Sequence, residues 1–113
     1  MGVLAAEAVS VLRAPLVTNR YGAQIRDWPN ATQTTVPGVS IQPVSATEDA
    51  QGRELRITGY RLFTARGRNI DLLATDRVRW AGLVLQVDGE VARWPAPGGG
   101  VHHVEAVLRL IEG

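Results

Sequence analysis

From Arg77 to Trp94 the chain alternates polar and apolar residues with a period of two, and this pattern most restricts what it can fold into. Such a run commits the segment to half-buried β-strands, because successive side chains on a strand point to opposite faces. Within it Arg77–Trp80 forms one strand, Ala81-Gly82 turns, and Leu83–Val87 continues. Asp88-Gly89 is the pair a two-residue type I′ hairpin favours, which predicts a return along Glu90–Trp94. Pro95-Ala96-Pro97-Gly98-Gly99-Gly100 then breaks the chain, and Val101–Ile111 reads as a long closing strand, completing a β-meander.

The upstream half reads as β as well. Val9, Val11 and Arg13 alternate with Ser10 and Leu12 in a first strand near Ala8–Ala14, which Pro15 ends or bends. Val17–Gly38 holds Asn19, Gly22, Asp27-Trp28-Pro29-Asn30 and Pro37-Gly38, and predicts a long irregular connection. Val39–Val44 is a short alternating strand, and Ser45–Arg53 is a small, polar, exposed loop. Glu54–Thr64 is a longer strand in which Gly59 marks a bulge or a close backbone approach. Ala65–Thr75 predicts a turn and one helical turn with Asn69 as its cap. The sum is a single all-β domain, a small SH3-like barrel of six or seven antiparallel strands with long inserted loops.

With 113 residues, 45% of them hydrophobic and 20% charged, one modest core is feasible and global disorder is not expected. No apolar run approaches the roughly 20 residues of a membrane-spanning helix. Met1–Ala8 lacks the basic start of a signal peptide, and Ala6 stands where myristoylation needs Ser or Thr. The absence of cysteine excludes disulfides, thiolate metal sites and a cysteine nucleophile. All 12 basic side chains are arginine, so lysine Schiff-base chemistry is excluded too. A formal net charge of +1 supplies no overall attraction to nucleic acid or anionic lipid.

A search for reactive groups yields no catalytic constellation. His102 and His103 should face opposite sides of their strand, one exposed and one partly covered, so no metal or other cofactor is expected. Ser10, Ser40 and Ser45 lie in ordinary contexts without a nucleophile elbow, and Gly98–Gly100 lacks the Lys-Ser/Thr and helix of a phosphate loop. Asn30-Ala31-Thr32 matches the glycosylation triplet, a match that matters only in a secreted chain. Arg61, Arg66, Arg68, Arg77 and Arg79 form a locally basic stretch offset by Asp71 and Asp76. Exposed aromatics for base stacking are scarce beside it, which favours a solvated face or subunit interface over a nucleic-acid groove. Trp28 either tucks over the barrel end or anchors a partner.

Several segments in order along the chain resemble the head-to-tail stopper proteins of long-tailed actinobacterial phages. They are Val11–Pro15, Thr18–Gly22, Arg26–Trp28, Val39–Pro43 with Ser45–Asp49, Asp76–Val78, Val87–Val91, Arg93–Pro95 and His102–Glu105. Each piece is short, but together they span nearly the whole chain. The resemblance implies a non-enzymatic virion protein, made in the host cytoplasm and placed in the neck between portal and tail. Its implied partners are further copies of itself in a ring, the portal-bound head–tail adaptor, the tail terminator or tail tube protein, and genomic DNA held without sequence specificity.

In that setting the two polar loops become the functional segments. Ala46, Thr47, Glu48, Asp49, Ala50, Gln51 and Gly52 are expected to form the channel plug, the carboxylates repelling phosphate and the small residues permitting movement. Arg20, Tyr21, Arg26, Asp27 and Trp28, with Arg66 and Arg68, are expected to contact the adaptor or the adjacent subunit. A tail terminator or other neck ring protein is one alternative, and an SH3-like nucleic-acid-binding module is another.

Overall fold

A computed structural model describes residues 7–47 and 55–112. The strands are β1 (Glu7–Arg13), β2 (Leu16–Thr18), β3 (Gln24–Arg26), β4 (Thr32–Thr47), β5 (Leu55–Thr64), β6 (Arg77–Trp80), β7 (Leu83–Val87), β8 (Ala92–Pro95) and β9 (Val101–Glu112). A short 3-10 helix, Trp28–Asn30, lies between β3 and β4. Seven strands form one sheet in the order β5-β4-β1-β6-β7-β9-β8, and β5 also pairs with β9. That last pairing closes six strands into an antiparallel barrel, with β8 as an additional strand on β9. The expected all-β barrel is therefore the fold.

Closure depends on strands long enough to serve two neighbours. β4 pairs with β1 through Thr32–Val39 and with β5 through Val39–Thr47. It bends at Gly38, whose φ of 76° belongs to the left-handed region. A Cβ there would also fall 2.6 Å from Nε of Arg68. At Gly59 a Cβ would lie 2.9 Å from the carbonyl oxygen of Leu108 on β9, so this glycine lets β5 and β9 approach. The sequence reading of Gly59 as a close-approach site holds.

Side chains from one face of each barrel strand fill the interior, among them Val11, Val39, Leu62, Val78, Leu85 and Val104. The segment between β5 and β6 adds Ile70 and Leu72, both buried in the same cluster. Each such side chain contributes about 1.5–3 kcal/mol on burial. This segment thus seals one end of the barrel. Tyr60 and Trp80, partly buried against the same core, meet edge to face with ring centroids 5.7 Å apart.

Four local expectations are corrected. The stretch Val17–Gly38 is not irregular: it contains the β2–β3 hairpin, the 3-10 helix and the first half of β4. Thr32, Thr34 and Thr35 looked like loop residues because β1 covers only one edge of a largely exposed strand. Ser45–Thr47 belong to β4 rather than to a loop, and residues 48–53 lie outside the described residues. Between β5 and β6 no helical turn forms, and Asn69 caps nothing; its Oδ1 accepts from Arg93 Nε at 3.3 Å.

The fourth correction concerns Asp88-Gly89. β7 and β8 do not pair with each other, so there is no hairpin and no three-strand meander. Both lie along the same edge of β9, with Val87 opposite Leu108 and Ala92 opposite Glu105. Asp88–Val91 bulge outward between them, pinned by Asp88 N–H donating to the Val107 carbonyl at 2.8 Å. Gly89 has φ 88°, whereas Asp88 is not left-handed, so a type I′ turn is ruled out. The two-residue I′ geometry occurs instead at Ala81-Gly82, with φ of 52° and 80°.

Candidate functional site

Two features stand apart from the barrel wall. The first is the β2–β3 hairpin, which forms its own two-stranded sheet. Asn19 organises its turn: its Oδ1 accepts from the N–H groups of Tyr21 and Ala23 at 2.9 and 3.0 Å. Leu16, Tyr21 and Ile25 are 50%, 80% and 46% exposed, so this arm offers apolar surface that the chain itself does not cover. Arg20 lies at the tip with its guanidinium carbon 5.2 Å from the Tyr21 ring centroid. At the base, Arg26 donates to the Ala14 carbonyl and Asp27 N–H to the Pro15 carbonyl, fixing the direction in which the arm leaves.

Trp28 does not extend the arm. It folds back so that the Arg77 guanidinium sits 3.9 Å from its ring centroid, a cation–π contact on the barrel wall. Arg77 in turn donates to Gln86, which donates to the Asp76 carbonyl. Trp28 is thus tucked against the barrel while staying partly exposed. Asp27 accepts from Asn30 Nδ2 at 2.7 Å within the same short turn.

The second feature is the sealed barrel end. Arginines from β1 and β8 hold the β5–β6 segment in place. Arg93 donates to the Ile70 and Leu72 carbonyls at 3.1 and 2.8 Å, satisfying the backbone beside the two buried side chains. Arg13 bridges Asp71 and Asp76. Hydrogen bonding to Asp76, then to Asp71, raises the Arg13 pKa above its ordinary value. The bond from Arg13 holds the Asp71 carboxylate below the usual range. Neither Arg13 nor Arg93 was singled out in the sequence, although a signal existed. Arg13 follows Val9 and Val11 on the inward phase of β1, and a charge on that face requires a partner.

Arg66 and Arg68 lie on this same segment, exposed, and remote in chain position from the arm. Arg66 borders a groove of about 360 Å³ together with Gly67, Ala96, Pro97, Val101 and His102. The predicted contact residues therefore divide: Arg20, Tyr21 and Arg26 share the arm, Asp27 and Trp28 its base, and Arg66 and Arg68 the sealed end. Of the predicted plug, Ala46 and Thr47 end β4, while Glu48, Asp49, Ala50, Gln51 and Gly52 lie outside the described residues.

The histidines correct a geometric premise. Trp94 stands opposite His103 but Pro95 opposite Val101, so His102 is an extra residue in a bulge. The bulge breaks the alternation and turns both rings to one side. Their Nδ1 atoms lie 2.8 Å apart, and Nε2 of His103 meets Glu105 Oε2 at 2.7 Å. Both rings are half-buried, and Trp94 stacks on His103. Head-to-head nitrogens at this spacing share one hydrogen between them. No group of three or more His, Asp or Glu side chains among the described residues is placed to hold a metal ion.

Fold and surface together define a small closed antiparallel β-barrel carrying an apolar hairpin arm. The chain is similar to the solution structure of protein SF1141 from Shigella flexneri 2a, with TM-score 0.60 and 24% identity, over 97% of this chain and 94% of that one. At that identity the likeness concerns the fold alone. No family model and no curated protein matches the sequence. Among the described residues no helix is long and apolar enough to cross a membrane.

Proposed function

We propose that this chain is a structural subunit of a phage neck, a ring-forming head-to-tail stopper that closes the portal channel after packaging and presents the tail attachment surface. The observation that carries the reading is the arm: a closed barrel has satisfied its own core, yet Leu16, Tyr21 and Ile25 remain exposed on a separate hairpin. Val17 and Ile25 stand opposite each other on one face of the hairpin, both exposed, and apolar surface left uncovered in this way supports a protein contact. Ring assembly requires such surface, because each identical subunit must meet the next through two different patches. The resemblance noted in the sequence adds the neck location, the adaptor above, the tail terminator or tail tube below, and DNA in the lumen.

The direct test is to dissociate purified virion necks and identify their rings. Finding this chain between adaptor and tail supports the reading, and virions that lack it overturn it. A variant with Leu16, Tyr21 and Ile25 replaced by serine should fold but fail to join heads to tails. Deleting Ala46–Gly52 should leave assembly intact and release packaged DNA; filled, non-leaking heads would remove the plug assignment.

A further inference from the structure

Among the carboxylates whose side chains are described, nearly all are engaged within the chain. Glu7 accepts from Trp80 Nε1, Asp27 from Asn30, Asp71 and Asp76 from Arg13, and Glu105 meets His103. Asp88 and Glu90 are the exceptions: both are exposed, both lie in the bulge between β7 and β8, and neither side chain makes a hydrogen bond or ion pair. Arg66 is likewise exposed and unpaired, at the edge of the groove closed by Ala96, Pro97, Val101 and His102.

These opposite charges do not meet within one molecule. Gly67 N–H bonds to the His102 carbonyl on the β5 side of β9, whereas Asp88 N–H bonds to the Val107 carbonyl on the β7 side. Val107 is five positions beyond His102, roughly 17 Å along an extended strand. The groove lies at the Val101 end of β9, where Arg66-Gly67 and Ala96-Pro97 flank the strand, and the acidic bulge lies further along it beside Val107; two separate patches on one chain are the arrangement a heterologous contact uses.

We infer that the Asp88-Gly89-Glu90 bulge of one copy docks at the Arg66 groove of the next copy. Gly89 keeps the bulge narrow, and the groove walls exclude water from the ion pair once it is filled. Charge complementarity of this kind sets register and partner choice. The contact rests on the ring reading above but is separable from it.

The test is a charge-swap series on the purified full chain, followed by sedimentation at low and high salt. Wild type should self-associate, more weakly as salt rises. Arg66→Glu alone, and Asp88→Arg with Glu90→Arg alone, should each lower the association constant by about tenfold or more. An equimolar mixture of the two variants should recover association, because the reversed groove then meets the reversed bulge. A wild type that stays monomeric at every concentration, or self-association indifferent to the swaps, overturns the contact. If the swaps and the recovery behave as stated but the chain is absent from purified necks, the contact stands and the stopper reading falls.

Discussion

Arg13 and Asp76, 63 positions apart, form a two-point bond: Nη2 donates to Oδ2 at 2.7 Å and Nε to Oδ1 at 3.0 Å. Asp76 is 1% exposed, and its Oδ2 also accepts from the Leu73 N–H at 2.8 Å. The pair joins the end of β1 to the segment that seals the barrel. Removing the cation leaves a buried carboxylate without its counter-charge. Arg13→Met should therefore lower the unfolding free energy by about 3 kcal/mol, read from the midpoint of urea denaturation. An unchanged midpoint would show that the seal does not depend on this pair.

Asp71 is the exposed partner of the same guanidinium. Its pKa is lowered chiefly by the hydrogen bond from Arg13, below the ordinary 3.8. A depressed carboxylate stabilises the fold above its unfolded pKa and loses that contribution as pH falls through the lower folded value. The stability gap between wild type and Asp71→Asn should thus be constant from neutral pH down to about 4. It should close on further acidification. Parallel denaturation curves at neutral and strongly acidic pH measure it directly.

Ala81 occupies a left-handed position, φ 52°, in the tight turn between β6 and β7. A methyl-bearing residue is strained there, whereas asparagine tolerates the conformation and is favoured in type I′ turns. Ala81→Asn should raise stability by about 1 kcal/mol. The expected result is a thermal midpoint several degrees higher, with strand content unchanged by circular dichroism.

Gly59 sits where β5 approaches β9, and an added Cβ would lie 2.9 Å from the Leu108 carbonyl. The obstacle is backbone, so it cannot rotate away. Gly59→Ala should cost about 1–3 kcal/mol. Faster amide exchange should appear along Tyr60–Phe63 and Glu105–Leu108, the pairs that close the barrel. Uniform loss of protection across all strands would instead indicate global destabilisation.

Much of the barrel was legible because side-chain alternation is local. The β6 and β7 strands, their Ala81-Gly82 turn and the long β9 follow from period-two runs and turn-forming residues. The inward phase of Arg13 and Asp76 was equally present: each keeps step with buried valines, Val9 and Val11 on one strand and Val78 on the other. What alternation lacks is the identity of the facing strand. The pairing of Arg13 with Asp71 and Asp76 thus stayed out of reach, and with it the seal that Arg93 also holds.

Asp88-Gly89 shows the same limit from the other side. Its residues favour a tight change of direction, and the chain does change direction there, but by bulging and resuming along β9 rather than by folding back. The choice depended on β9 offering a continuous edge from Val101 to Glu112, which both β7 and β8 could share. The sequence by itself determined the β class, the alternating core faces, the strand-ending prolines and glycines, and the absence of cysteine chemistry. Only the tertiary structure decided which strands pair, that β4 serves two neighbours, that the two histidines meet across a bulge, and that Asp88 and Glu90 stand unpaired at the surface. The physical reason is that strand propensity and turn chemistry act over a few residues, whereas register and closure follow from hydrogen bonds and packing between segments distant in the chain.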